Sequence, residues 1–202
     1  MGAIDGCPFE VLEEDLLRAQ VYALLGELLA RPPSQDVIDL VQGLEGDDTP
    51  LGAALNELAA AGRGLTVEDA ETEYNAIFIG ITRGELVPYA SFYITGFLHD
   101  RPLADLRTDM SRLGIAKSDD VSDPEDHIAA LCEMMRGLMT GVFGKPLGIV
   151  EQRAFFDAHL AKWAPKFFED LEMAEGSVFY RPVGQIGRHF MAIETEAFEL
   201  AA

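Results

Sequence analysis

The sequence predicts an all-α protein of about nine to eleven helices. Three observations carry that expectation. Apolar residues recur at three- and four-residue steps through most of the chain, cap residues and prolines punctuate those stretches, and no convincing run alternates apolar with polar as a half-buried strand would. With 202 residues, 49% of them hydrophobic and 25% charged, the chain has globular composition and enough length for one compact unit or two small ones.

The elements follow in order. The first helix is expected from about Phe9 to Ala30, with Leu12, Leu16, Leu17, Leu24, Leu25 and Leu28 on its apolar face and Pro32-Pro33 stopping it; so apolar a helix should be central. A weaker helix follows Ser34, and a third spans about Pro50 to Ala61, ended by Gly62 and Gly64. Thr66 reads as the N-cap of a fourth, with Glu68 and Asp69 complementing the positive end of its dipole. Behind that cap Val67, Ala70, Tyr74, Ile77, Phe78 and Ile81 form one stripe. Gly80 and Gly84 lead into an aromatic loop at 87–93, and another helix covers Leu103 to Leu113.

An acidic stretch, 115–126, then reads as a hinge between an N-terminal helical part, 1–114, and a C-terminal one, 127–202. Asp123 as cap and Pro124 at the first helical position should start a helix whose inward residues are Ile128, Leu131, Cys132, Met135, Leu138, Met139 and Val142. Gln152, Phe156, His159, Leu160 and Trp163 mark a further helix, broken near Pro165 and resumed through Phe167, Phe168 and Leu171. The last helix has Val183, Ile186, Phe190, Ile193, Ala197 and Leu200 in register.

Charge and composition exclude several functions. Thirty-five acidic against fifteen basic side chains give −20, which repels nucleic acid and anionic membrane and favours cationic partners. Cys7 and Cys132 are too few for a disulfide framework and too isolated for zinc, which fits a reducing cytoplasm. No signal peptide or membrane span is expected, and Gly6 stands where a myristoylation motif needs Ser or Thr.

Two segments invite chemistry. Asp126 beside His127 resembles a general-base pair, but consecutive helical residues point about 100° apart, and no nucleophile elbow, H-E-x-x-H or glycine-rich phosphate loop accompanies them. First-turn acid with packing histidine, or a binding pair, are the alternatives. His99, His127, His159 and His189 lie in separate elements without ligand pairing, so no metal is expected. Tyr89, Phe92 and Tyr93 either pin their loop to the helices or line a groove.

Taken in order, these segments resemble the TorD/DmsD family of redox-enzyme maturation chaperones. The marks are Arg18 to Leu25 followed by Arg31-Pro32-Pro33; Glu73-Tyr74-Asn75-Ala76-Ile77-Phe78-Ile79-Gly80; and Pro88-Tyr89-Ala90-Ser91-Phe92-Tyr93. The most diagnostic is Asp123-Pro124-Glu125-Asp126-His127, like the family's acid-Pro-x-Asp-His signature at an interdomain hinge. Phe156-x-x-His159-Leu160-x-x-Trp163 and Phe179-Tyr180 continue the likeness, whereas Ala130-Leu131-Cys132-Glu133-Met134-Met135 departs from the Glu-Leu-Glu-Phe-Met common after the histidine.

The resemblance implies a cytoplasmic, non-enzymatic chaperone that binds the twin-arginine leader, or the apo form, of a molybdopterin oxidoreductase until its cofactor is inserted. It implies Asp126 pairing with a leader arginine, His127 hydrogen bonding, and Tyr74, Ile77, Phe78, Pro88, Tyr89 and Tyr22 lining the apolar part, with Asp123 and Pro124 at the hinge. It also allows weak guanine-nucleotide binding and a monomer or domain-swapped dimer. The alternatives are a NarJ-like nitrate reductase assembly chaperone and a hydrolase using Asp126 and His127.

Overall fold

The computed structural model describes residues 11–80, 84–117 and 123–201. Cys7, Ile81 and the centre of the acidic hinge, 118–122, lie outside them. Ten α-helices and one π-helical turn make up the described fold: α1 Glu13–Ala30, α2 Gln35–Gln42, α3 Pro50–Gly62, α4 Val67–Tyr74 continued by the π turn Asn75–Ile79, α5 Ala90–Thr95, α6 Arg101–Leu113, α7 Ile128–Thr140, α8 Ile149–His159, α9 Ala164–Met173 and α10 Tyr180–Leu200. No described helix is long and apolar enough to cross a membrane.

Local chemistry accounts for most starts. Ser34, Thr49 and Thr66 each accept a backbone N–H of the following turn, and Asp100 caps α6. Pro50, Pro102 and Pro165 stand in first turns, where their missing N–H costs nothing. Pro165 therefore opens α9 rather than interrupting a longer helix.

The central element is α7, not α1. Nine of its thirteen residues are buried, so it is apolar nearly all round. Helix α1 lies along it and buries Ala19, Tyr22, Leu25, Leu28 and Leu29, while Leu12 and Leu17 are exposed. Helix α10 packs on α9, its neighbour in sequence, and also on α3 from the N-terminal part. The two sequence halves thus interlock over one continuous core. Val142 falls beyond the end of α7, where it is exposed, and Ile193 and Leu200 are exposed on α10.

The register of α10 shifts because its buried stripe contains an acid. Glu194 stands between Phe190 and Phe198, fully buried, and accepts a two-pronged bond from Arg18 of α1 at 2.6 and 2.8 Å. Tyr22 adds its hydroxyl at 2.9 Å, and Arg18 also reaches Asp15 and Gln152 at 2.7 and 2.8 Å. A buried charge left alone costs far more than its pair contributes, so this cluster ties α1, α8 and α10 into one arrangement. Removing Arg18 alone, as Arg18→Met, is expected to cost about 3–5 kcal/mol in urea unfolding, and Arg18→Met with Glu194→Leu to recover most of that loss.

Candidate functional site

The aromatic segment and the Asp-His signature meet. The Ala90 N–H donates to the carbonyl of Asp126 at 3.0 Å and the Ile128 N–H to that of Pro88 at 2.9 Å, making a single antiparallel bridge between Tyr89 and His127. The Asp126 carboxylate reinforces it: its Oδ2 accepts the Ser91 N–H at 2.7 Å and so caps α5, which begins inside the expected loop. The Tyr89 and His127 rings meet edge to face, 4.9 Å between centroids. The Tyr89 hydroxyl donates to Asp123 at 3.3 Å.

A cavity opens on each side of this wall. On the Tyr89 side, Phe78, Ile79, Val87, Pro88, Tyr89, Phe92, Phe97 and Leu98 line a groove of about 410 Å³ with no charged side chain among the described residues that line it. Its floor requires the π turn, which turns Phe78 and Ile79 toward it, and Gly84, where any Cβ would overlap the Phe78 backbone. On the His127 side, a cleft of about 500 Å³ runs between the ends of α1 and α6 and the face of α7. Met110, Ile115, Met134 and Phe143 supply much of its apolar surface, and its charged lining is balanced, Asp123, Glu125 and Glu133 against Arg31, Lys117 and Arg136. Glu125 is held by Arg107 and Glu133 by Arg136, both at 2.8 Å.

The predicted site residues divide between these cavities and the core. Phe78, Pro88 and Tyr89 line the groove, and Asp123, Pro124 and His127 the cleft. Asp126 is fully buried, with its carboxylate turned to Ser91, so it offers no surface to an incoming arginine. Asp123 does not cap α7 either. That helix starts at Ile128, and its cap is His127, whose Nδ1 accepts the Ala129 N–H at 3.1 Å. With Nδ1 an acceptor, the ring proton sits on Nε2, and burial lowers the imidazole pKa to about 4. Asp126 Oδ2 and His127 Nδ1 are thus each engaged by a backbone N–H rather than by one another.

Tyr22, Tyr74 and Ile77 belong to the core. Tyr22 is fully buried, bonded to Glu194 and packed edge to face on Phe190. Tyr74 and Tyr180 donate to the carbonyls of Leu29 and Leu28 at 3.3 and 3.1 Å, satisfying the last turn of α1, which has no basic residue of its own. Burial pushes the Tyr74 hydroxyl up to about 12, with Asp123 contributing. The Ile77 carbonyl accepts from Leu86 N–H, closing the loop beneath the groove.

Glu73 and Ser91 escaped the sequence reading as functional supports. The Glu73 carboxylate accepts the N–H groups of Val178, Phe179 and Tyr180 at 2.9, 3.2 and 2.8 Å and caps α10 from across the fold. Its place one residue before Tyr74 in the motif was the available signal.

A family model described as nitrate reductase delta subunit matches residues 44–169, more than half of the chain. The chain belongs to the nitrate reductase delta subunit family. Among curated members, the chaperone protein TorD of Vibrio atlanticus is 28% identical over 200 residues, covering 89% of this chain and 93% of its own. The TorD of Photobacterium profundum is 30% identical over 189 residues, covering 81% and 85%. A solved structure described as a redox enzyme maturation protein from Archaeoglobus fulgidus shares the fold, with a TM-score of 0.60 and 18% identity over 93% of this chain and 99% of that one. In this member of the delta subunit family, the Asp-His signature is the strut that joins the two cavities.

Because His127 is held neutral in the fold and titrates near 6.5 when unfolded, the unfolded chain binds more protons between those values. Stability should therefore fall with pH through that window. A loss of about 2 kcal/mol is expected from about pH 7 to about pH 5, and urea midpoints should show it shrinking in His127→Gln.

Proposed function

We propose that the chain is a chaperone of redox-enzyme maturation that binds the leader of a molybdenum-containing oxidoreductase, and that the leader lies against the Tyr89–His127 wall. The observation that carries this reading is the exposed carboxylate of Asp123, which forms a lip where it accepts the Tyr89 hydroxyl at the edge of a groove whose described lining is uncharged. A twin-arginine leader has the matching polarity, cationic at its start and apolar in its middle. Its apolar stretch fits the groove from Phe78 to Leu98. Its arginines fit the lip at Asp123, which is exposed, whereas Glu125 is already paired with Arg107. The net charge of −20 steers such a segment inward over a distance that salt shortens.

In this arrangement Asp126 and His127 act from behind the surface. They fix the wall by capping α5 and α7, and Asp123 takes the direct contact with a guanidinium. The relatives named as chaperones support a binding role without catalysis. The description of the family model favours a second client class, a nitrate reductase, within the same mechanism.

Isothermal calorimetry with synthetic leaders tests the reading. A leader should bind and weaken as salt rises, and Asp123→Asn should cost about tenfold in affinity and flatten the salt dependence while the protein stays folded. A folded protein that binds no twin-arginine leader of either client class would refute leader recognition.

A further inference from the structure

The rim of the groove carries a strained turn that lies outside the sequence motifs. Helix α5 ends at Gly96, in the left-handed region at φ 83°, and His99 three residues later has φ 60°, the one non-glycine residue at positive φ among those described. For a residue with a Cβ that conformation costs about 1 kcal/mol or more. The turn recovers nothing by burial. Phe97 is 72% exposed and Leu98 45% exposed, yet both line the groove. Side-chain bonds hold the turn: Thr95 Oγ1 accepts from Phe97 N–H at 3.3 Å and donates to the Ser91 carbonyl at 2.9 Å, and Asp100 caps α6 directly after His99. Ser91 is the residue tied to Asp126, so the turn is anchored to the wall itself.

We propose that the Gly96–His99 turn is the specificity-determining grip of the groove, in which Phe97 and Leu98 close over the apolar stretch of the client segment and select for bulky aliphatic or aromatic side chains. The inference rests on the leader reading above and names the part of that site which reads the apolar half. A strained backbone that presents two large apolar side chains to water is stabilised only when something apolar covers them. The occupant is a client segment rather than a second copy of this chain, because the exposed Asp123 stands at the edge of the groove, bonded to Tyr89 of its wall. A cationic-apolar peptide complements both ends, whereas a chain of net charge −20 would bring like charge to the lip.

The test uses two synthetic peptides with the same pair of adjacent arginines. One continues into an apolar stretch of about ten residues, and in the other that stretch is replaced by serine and glycine. Calorimetry against the full chain, Phe97→Ser, Leu98→Ser and the double variant should show a loss of about tenfold or more for the apolar peptide. The serine-glycine peptide should bind all four proteins equally, and melting temperatures should stay close to the parent because both side chains are exposed. His99→Gly should raise stability while weakening the apolar peptide, since relief of the turn frees Phe97 and Leu98. Undiminished apolar-peptide binding by the double variant overturns the grip alone. A parent dimer in sedimentation that dissociates in Phe97→Ser overturns it by assigning the turn to self-association. Failure of the parent to bind either peptide removes the leader reading and the grip together.

Discussion

The contact on which the rest of the site depends is the two-residue bridge between Pro88–Ala90 and Asp126–Ile128. Two backbone hydrogen bonds and one buried carboxylate hold together segments that lie more than thirty residues apart. One strand of the bridge runs into α5 and the other into α7, and each helix receives its cap there. From Asp126 the constraint passes through Ser91 and Thr95 to the turn at Phe97, and from His127 it passes into the central helix.

The same economy recurs around the molecule. Glu73 caps α10 from α4, Tyr74 and Tyr180 cap the end of α1, and Glu194 anchors Arg18 and Tyr22 across α1 and α10. Apart from Tyr74, which stays within the N-terminal part, each places a polar group of one half against a helix terminus or charge of the other. Such contacts add modest stability when made and carry a large penalty when one partner is missing, so they specify a single packing.

Much of the fold was legible because it is local. Ser34, Thr66 and the Pro-containing first turns announce their helices, and the apolar spacing of α7 is plain. Reading burial was harder wherever a polar residue occupies the core. Glu194 breaks the apolar stripe of α10 and shifted the expected face toward Ile193, although its spacing of four from both Phe190 and Phe198 marks it as inward. In α1 leucines surround the axis, so periodicity alone could not tell Tyr22 and Leu29 from Leu12 and Leu17. At the site, the motifs located the right neighbourhood but not the roles: Asp126 read as an accessible acid, while the spacing put Tyr74 in a buried stripe and the resemblance put it in the groove lining. Only tertiary contacts, Ser91 N–H for one and the α1 carbonyls for the other, reveal them as supports. The grip at Phe97 and Leu98 was invisible, since nothing in the sequence foretells a left-handed histidine.

The groove and the cleft therefore share one wall, and the exposed Asp123 beside the apolar groove suits a cationic-apolar segment. Methyl-resolved NMR titration with a twin-arginine leader tests this most directly. The account predicts perturbation of Ile79, Val87 and Leu98 in the groove and of Met110 and Met134 in the cleft, with Val150 and Leu200, exposed outside both, unmoved. Binding that leaves the groove and cleft methyls unchanged while shifting residues elsewhere would contradict it.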